Sequence, residues 1–228
     1  MILGSDGVND DFFVLWYKRN GRDFPWRLPT VSSFQLLITE MLLRQTRAVQ
    51  VERLWDGFMS SFGSPSSLVE APSKAIFDAV EELGFGNQRT KALKAAATHL
   101  VEEHGGELPN SEEDLLAIPH VGLYTARAVR CFAYGEPVPV VDTNIVRLFC
   151  RLTGRSVKRP DVRRINWVWE EASALLSREN PAAHNYGLLD FNAQVCLPRK
   201  PKCAECPLAD DCEYGQAVLK GAEPVEPW

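Results

Sequence analysis

Apolar residues recur along most of this chain at the three-to-four-residue spacing of an α-helix rather than at the alternation of a strand. The spacing predicts helices over about 9–19, 33–44, 46–62, 73–82, 88–104, 111–117, 123–134, 143–153, 161–178 and 184–195. Ser33, Ser73 and Ser111 mark starts, and the acids Glu112, Glu113 and Asp114 suit the positive end of the helix that follows Ser111. Gly105 and Gly106 stop the 88–104 helix. Pro25, Pro29, Pro65 and Pro137 mark loops. The only strand-like run, PVPVV at 137–141, is short and carries two prolines. There is no low-complexity tract and no long repeat. The pattern predicts an all-α protein.

Composition narrows the class. A chain of 228 residues, 45% hydrophobic, can bury a core in one or two domains. No apolar run approaches the ~20 residues that span a bilayer. Acids precede the first apolar patch in MILGSDGVNDDFFVLWYKR, so a signal peptide is not expected. Cys131 and Cys150 sit in apolar periodic segments and are expected as core thiols. These features point to a reducing cytoplasm.

The net charge of −5 argues against a generic polyanion binder, but its sign is unevenly spread. Arg147, Arg151, Arg155, Lys158, Arg159, Arg163 and Arg164 crowd one stretch, broken by the single acid Asp161. Arg199, Lys200 and Lys202 add to them. A segregated basic surface binds phosphates despite a negative total, although a solvated helix face gives the same run.

Four cysteines follow the pattern C-x6-C-x2-C-x5-C: Cys196, Cys203, Cys206 and Cys212. Four thiolates within one short loop suit an all-cysteine metal centre. Structural zinc usually draws on two close pairs. One CxxC with single outlying ligands fits a [4Fe–4S] cluster better, with zinc as the alternative. Two disulfides fit poorly in a chain with no other secretory feature.

Three internal features carry candidate chemistry. LLAIPHVGLYTARAVRCFAYG, 115–135, reads as two helices joined by a tight turn containing Pro119 and Gly122. Backbone N–H groups there, with the following helix N-terminus, would bind a phosphate; an ordinary αα-hairpin is the plainer reading. Glu40 is the only charge in FQLLITEMLL and lies on the flank of an apolar surface. It is either a structural hydrogen-bonding group or a proton shuttle held in a pocket. Asp142 stands before TNIVRLFCRL, as a helix N-cap or as an anion stabilised at a helix N-terminus for chemistry.

In this order, the elements PWR (25–27), ITEMLLRQT (38–46), IPHVGLYTARAV (118–129), VVDTNIVRL (140–148) and the four-cysteine loop resemble the helix-hairpin-helix DNA glycosylases of the endonuclease III superfamily. Within it, RDFPWR, LLRQT, GFGNQR and DFNAQVC are most similar to the mismatch-specific thymine glycosylases. The adenine glycosylases acting at A·8-oxoguanine are the next nearest.

The resemblance implies a two-domain helical fold. A helical barrel at about 28–137 ends in the hairpin, and 1–27 with 138–228 forms an iron–sulfur domain. It implies a monomer with a [4Fe–4S] cluster that acts on double-stranded DNA carrying a mismatched or damaged base, and no membrane partner. Asp142 matches the carboxylate that stabilises an oxocarbenium-like sugar, and Glu40 the second carboxylate, at the base or the water. Gln45 and Phe85 match residues that fill the gap left by a flipped base and wedge the stack. His120, Gly122 and Thr125 of the hairpin, with Arg147, Arg199, Lys200 and Lys202, are implied to contact DNA.

Tyr124 occupies the place where the lyase branch has lysine. Lacking an amine, it forms no Schiff base, so a monofunctional enzyme leaving an abasic site is implied. His120 departs from the family's G-V-G hairpin; histidine enters positive φ more readily than most residues, though uncommonly. Sixteen residues follow Cys212, too few for the 8-oxoguanine-reading domain of adenine glycosylases. GFGNQR also replaces their loop of paired tyrosines. Both features favour thymine or uracil opposite guanine. Adenine excision, or a catalytically silent cluster-bearing DNA binder, are the alternatives.

Overall fold

The computed structural model describes residues 12–158 and 165–228. Arg159, Asp161, Arg163 and Arg164 of the basic stretch lie outside the described residues, as do the starts of the predicted 9–19 and 161–178 helices. Twelve α-helices and no strand occur among the described residues: α1 Phe12–Asn20, α2 Ser33–Leu43, α3 Ala48–Phe62, α4 Pro65–Glu70, α5 Ser73–Val80, α6 Gly86–His104, α7 Glu112–Ala117, α8 Leu123–Phe132, α9 Thr143–Thr153, α10 Asn166–Leu175, α11 Pro181–Gln194 and α12 Glu213–Leu219. The all-α expectation holds, and residues 137–141 form no strand.

Local chemistry sets most boundaries. Ser32, one residue before the predicted start, caps α2 by accepting from the Gln35 amide, while Gln35 Oε1 accepts from the Ser32 amide. Ser111 caps α7 as predicted. Ser73 does not cap α5; it is the first helical residue, behind Pro72. Gly105 at φ 61° ends α6, and Gly106 closes the last turn onto the Leu100 carbonyl.

Two short helices escaped the periodicity. Pro65 opens α4 at its first position, where a missing N–H costs nothing, rather than marking a loop. The seven residues of α12 are too few to show a helical period above the cysteine loop.

The chain divides into two compact units, Asp23–Gly135 and Met1–Arg22 with Glu136–Trp228. The first is built around Leu37, Ile38, Leu42, Phe58, Leu68, Ile76, Leu93, Leu100 and Leu115. Inside it the Trp55 indole N–H donates to the Thr39 hydroxyl at 2.8 Å, which satisfies a donor that burial would otherwise orphan. The second unit centres on Phe13, Ile145, Val146, Phe149, Val168 and Phe191. There α1 packs on α11 so closely that a Cβ at Gly187 would sit 2.2 Å from the Phe13 carbonyl oxygen. Arg22 donates through Nη2 and Nε to Oδ1 of the buried Asp190 carboxylate at 2.7 and 2.8 Å, and its backbone amide donates to Oδ2 at 2.8 Å.

Candidate active site and metal centre

The Asp23–Gly135 unit gathers the candidate wedge residues. α2 ends in the loop Arg44–Arg47, and the turn Gly84–Phe85 precedes α6. The hairpin turn Ile118–Gly122 links α7 to α8. Gln45, Phe85 and His120, one from each turn, line a single open pocket of about 350 Å³ together with Met41, Arg44, Gln88 and Arg89. Phe85 is 61% exposed at the mouth of this pocket.

The backbone at these residues is unusual. Among the described residues, four non-glycines have positive φ: Gln45 at 55°, Phe85 at 55°, His120 at 65° and Lys200 at 54°. Each conformation costs roughly 1–3 kcal/mol and persists only when its surroundings over-determine it. All four belong to the DNA contacts implied by the sequence resemblance. His120 thus adopts the left-handed turn that the family fills with glycine, and its carbonyl accepts from Arg44 Nη1 at 2.9 Å. Gly122 is the N-cap of α8 at φ −106°, with open space where a Cβ would stand. Tyr124 is the second residue of α8 and is half-buried.

Two candidate residues of this unit are buried. Glu40 is buried within α2, only 6% exposed. Thr125, placed among the DNA contacts by resemblance, is 4% exposed, so its side chain is buried within α8's packing.

In the second unit Asp142 is the N-cap of α9. Its Oδ1 accepts from the Ile145 amide at 2.8 Å and its Oδ2 from Asn144 Nδ2 at 2.6 Å. The chain of contacts continues: Asn144 Oδ1 accepts from Arg147 Nη1 at 2.7 Å, and Arg147 Nη2 donates to the Cys196 carbonyl at 2.8 Å. Two side chains, Asn144 and Arg147, therefore link the candidate catalytic carboxylate to the backbone of the first cysteine of the loop.

That arrangement corrects the expected role of Arg147. It is 4% exposed and donates inward, to Asn144, to Asn192 and to the Cys196 carbonyl. Arg151, one turn later and 3% exposed, donates to the carbonyls of Leu197 and Pro198. A guanidinium buried on the cysteine loop has no face left for a phosphate. Among the described residues, the surface cations of this region are Arg155, which lies over the Trp167 ring, and Lys158, with Arg199, Lys200 and Lys202 on the loop itself.

The four loop cysteines line one small cavity of about 20 Å³, walled by Leu148, Leu152, Phe191 and Tyr214. Among the described residues no three His, Cys, Asp or Glu side chains are grouped to hold a single metal ion. Arg151 Nη1 lies 3.4 Å from Cys196 Sγ, and the Gly215 amide donates to Cys212 Sγ at 3.3 Å. Arg151 Nε is buried with no hydrogen-bond partner among the described residues. Donors aimed at sulfur and a cation held against the cavity fit an anionic thiolate-ligated cluster. Burial pushes the Cys206 thiol up to about 11, and raises Cys203 and Cys212 as well. Such thiols ionise only against a metal, which then displaces their protons.

Arg89, Asn144 and Asn192 lie within the motifs GFGNQR, VVDTNIVRL and DFNAQVC, but the sequence assigned none of them a role. Arg89 ends the GFGNQR motif, and its role emerges only from contacts across more than forty residues of chain.

Known proteins place this geometry in context. The family model described as HhH-GPD superfamily base excision DNA repair protein matches residues 38–171. A second model, the iron–sulfur binding domain of endonuclease III, matches residues 196–212. The chain is 36% identical over 201 residues to a thymine/uracil-DNA glycosylase of Methanothermobacter thermautotrophicus, covering 88% of this chain and 90% of that one. It is 37% identical over 219 residues to an adenine DNA glycosylase of Mycobacterium tuberculosis, covering 95% and 70% respectively. The solved structure of a thermostable thymine-DNA glycosylase superposes with a TM-score of 0.84 at 34% identity, over 91% of this chain and 94% of that one. No helix among the described residues is long and apolar enough to cross a membrane.

Proposed function

Because this chain belongs to the HhH-GPD superfamily of base excision DNA repair proteins and is a DNA N-glycosylase with an iron–sulfur loop, we propose that it removes thymine or uracil mispaired with guanine and leaves an abasic site. The observation that carries this reading is the group Gln45, Phe85 and His120, held left-handed around one cavity. A base inside the stack is out of reach of any side chain, so the nucleotide must leave the helix. An exposed Phe85 and a polar Gln45 on pre-bent backbone suit a wedge and a filler for the vacated place.

Asp142 is the residue we assign to the sugar. As the N-glycosidic bond breaks, positive charge grows on the sugar ring, and a fixed carboxylate lowers the energy of that state. Two donors already orient the Asp142 carboxylate, so little reorganisation remains at the moment of reaction. Water adds at C1′ and the base departs. Glu40, buried in α2, is assigned to proton handling at the base or the water. Tyr124 carries no amine, so no imine forms at that position and the strand stays intact. Thymine or uracil opposite guanine is favoured over adenine because GFGNQR stands where adenine glycosylases carry paired tyrosines.

The proposal is tested with duplexes containing T·G, U·G, A·8-oxoguanine and oxidised pyrimidines. The expected product is an abasic site at T·G and U·G, cut only after alkali, with no borohydride-trapped protein–DNA adduct. Preferred excision of adenine would move the enzyme to the adenine branch. Strand cleavage without alkali, with a trapped adduct, would overturn the monofunctional assignment. No excision from any duplex would support the silent DNA binder.

We assign the cluster as [4Fe–4S], held by Cys196, Cys203, Cys206 and Cys212. When bound, it fastens the loop from Cys196 to Cys212 into one piece. Protein purified without oxygen should be brown and contain about four irons per chain. Stoichiometric zinc without iron would return the site to its alternative.

Arg199, Lys200 and Lys202 are assigned to phosphates. Each replacement by Ala should reduce the slope of log affinity against log salt by about one. A slope unchanged across all three would place the duplex elsewhere.

A further inference from the structure

We infer that Arg89 is a positioning residue that presets the wedge loops before DNA arrives. The inference rests on the reading above that Gln45 and Phe85 meet the DNA. Arg89 is 8% exposed, and its described partners include no carboxylate. Its guanidinium has five N–H groups in a fixed fork, and five acceptors meet them. Nε donates to the Gly84 carbonyl at 2.9 Å. Nη1 donates to the carbonyls of Met41 at 3.2 Å and Leu42 at 3.0 Å. Nη2 donates to the Arg44 carbonyl at 2.8 Å and closely to the Thr46 hydroxyl.

These acceptors come from the two loops that carry the wedge residues and from the end of α2. Arg44 and Thr46 flank Gln45, and Gly84 directly precedes Phe85. One side chain is therefore tied beside both left-handed wedge residues. Met41 and Leu42 belong to the last turn of α2, where carbonyls lack partners within the helix and the dipole is negative. Those carbonyls accommodate the buried charge without a carboxylate. Burial, and then the neighbouring Arg44, lower the pKa of Arg89, but an arginine stays charged. Arg44 reaches on to the His120 carbonyl, so the same network extends to the third turn. Lysine would keep the charge but lose the planar fork that spans two loops.

A preset wedge matters when the target must be pulled from a stacked duplex, and matters less when the base is already unpaired. Single-turnover excision by Arg89→Lys should slow about tenfold on a T·G duplex, as a small misplacement of the wedge would cause. On a duplex whose target thymine faces an abasic gap, the same variant should stay within about twofold of the wild type. Thr46→Val, which removes one acceptor, should show the same selectivity with a smaller loss. Equal slowing on both substrates would reduce Arg89 to a structural residue, and no slowing on either would remove the role.

A second measurement keeps this inference separable from the function it rests on. A 2-aminopurine beside the mismatched thymine reports unstacking on binding, with or without excision. At equal occupancy, Arg89→Lys should give a weaker fluorescence rise than the wild type. If the wild type excises nothing but unstacks the site, the substrate assignment fails and the fluorescence still decides Arg89. Equal fluorescence in both proteins would overturn the inference.

Discussion

Asp142→Asn should bind a T·G duplex as the wild type does and excise its base slower by about 10³-fold or more, the scale of losing one preorganised electrostatic group. Asparagine separates two roles that the sequence left entangled. Asp142 caps α9 through Oδ1, and asparagine caps helices about as well. The helix therefore survives the substitution while the negative charge does not. The loss also turns an N–H toward Asn144 Nδ2 or forces one amide to flip, a small disturbance beside the missing charge. Asp142→Ala provides the contrast, since it also removes the cap and should cost about 1 kcal/mol of stability. Single-turnover excision, gel-shift binding and thermal melting measure the three quantities. An Asp142→Asn enzyme that excises at the normal rate would leave Asp142 as a cap alone.

Arg147→Met should destabilise the protein by about 3 kcal/mol and slow excision even when the cluster is loaded. Methionine fills much of the volume but orphans three acceptors in a site 4% exposed: Asn144 Oδ1, Asn192 Oδ1 and the Cys196 carbonyl. Asn144 is the partner that orients Asp142, so a loosened Asn144 loosens the carboxylate. The salt dependence of DNA binding, by contrast, should not change, because Arg147 has no surface to lend a phosphate. A salt slope reduced by about one in this variant would restore the surface role expected from the charge run. Iron content, melting temperature and excision rate on the same preparation distinguish a lost cluster from a loosened carboxylate.

These two residues mark where local information ends. Helical spacing, capping serines, Gly105 and the hairpin turn act over a few residues, so the chain itself determined the all-α class and the order of its longer helices. Cysteine spacing likewise pointed to a thiolate-bound metal centre, because a loop of seventeen residues can bring its own ligands together. Asp142 as an N-cap was legible for the same reason: cap and helix are adjacent.

What the sequence could not carry was the direction of a side chain relative to segments far along the chain. The run from Arg147 to Arg164 reads as one basic face. Yet α9 is buried on nearly all sides, and its spacing of four aims Arg147 and Arg151 at the cysteine loop more than forty residues away. Thr125 turned inward by the same logic, since a short hairpin helix shows only half its face to solvent. Backbone strain was equally hidden. His120 stood at a turn position that favours positive φ, but a phenylalanine and a glutamine give no local cause for it, and Arg89 supplies one only by joining their turns, which are far apart in sequence. Short-range hydrogen bonding and periodicity are written residue by residue. Burial of charge and the selection of strained turns are decided by which distant surfaces come to share one interior, and that is a property of the tertiary structure alone.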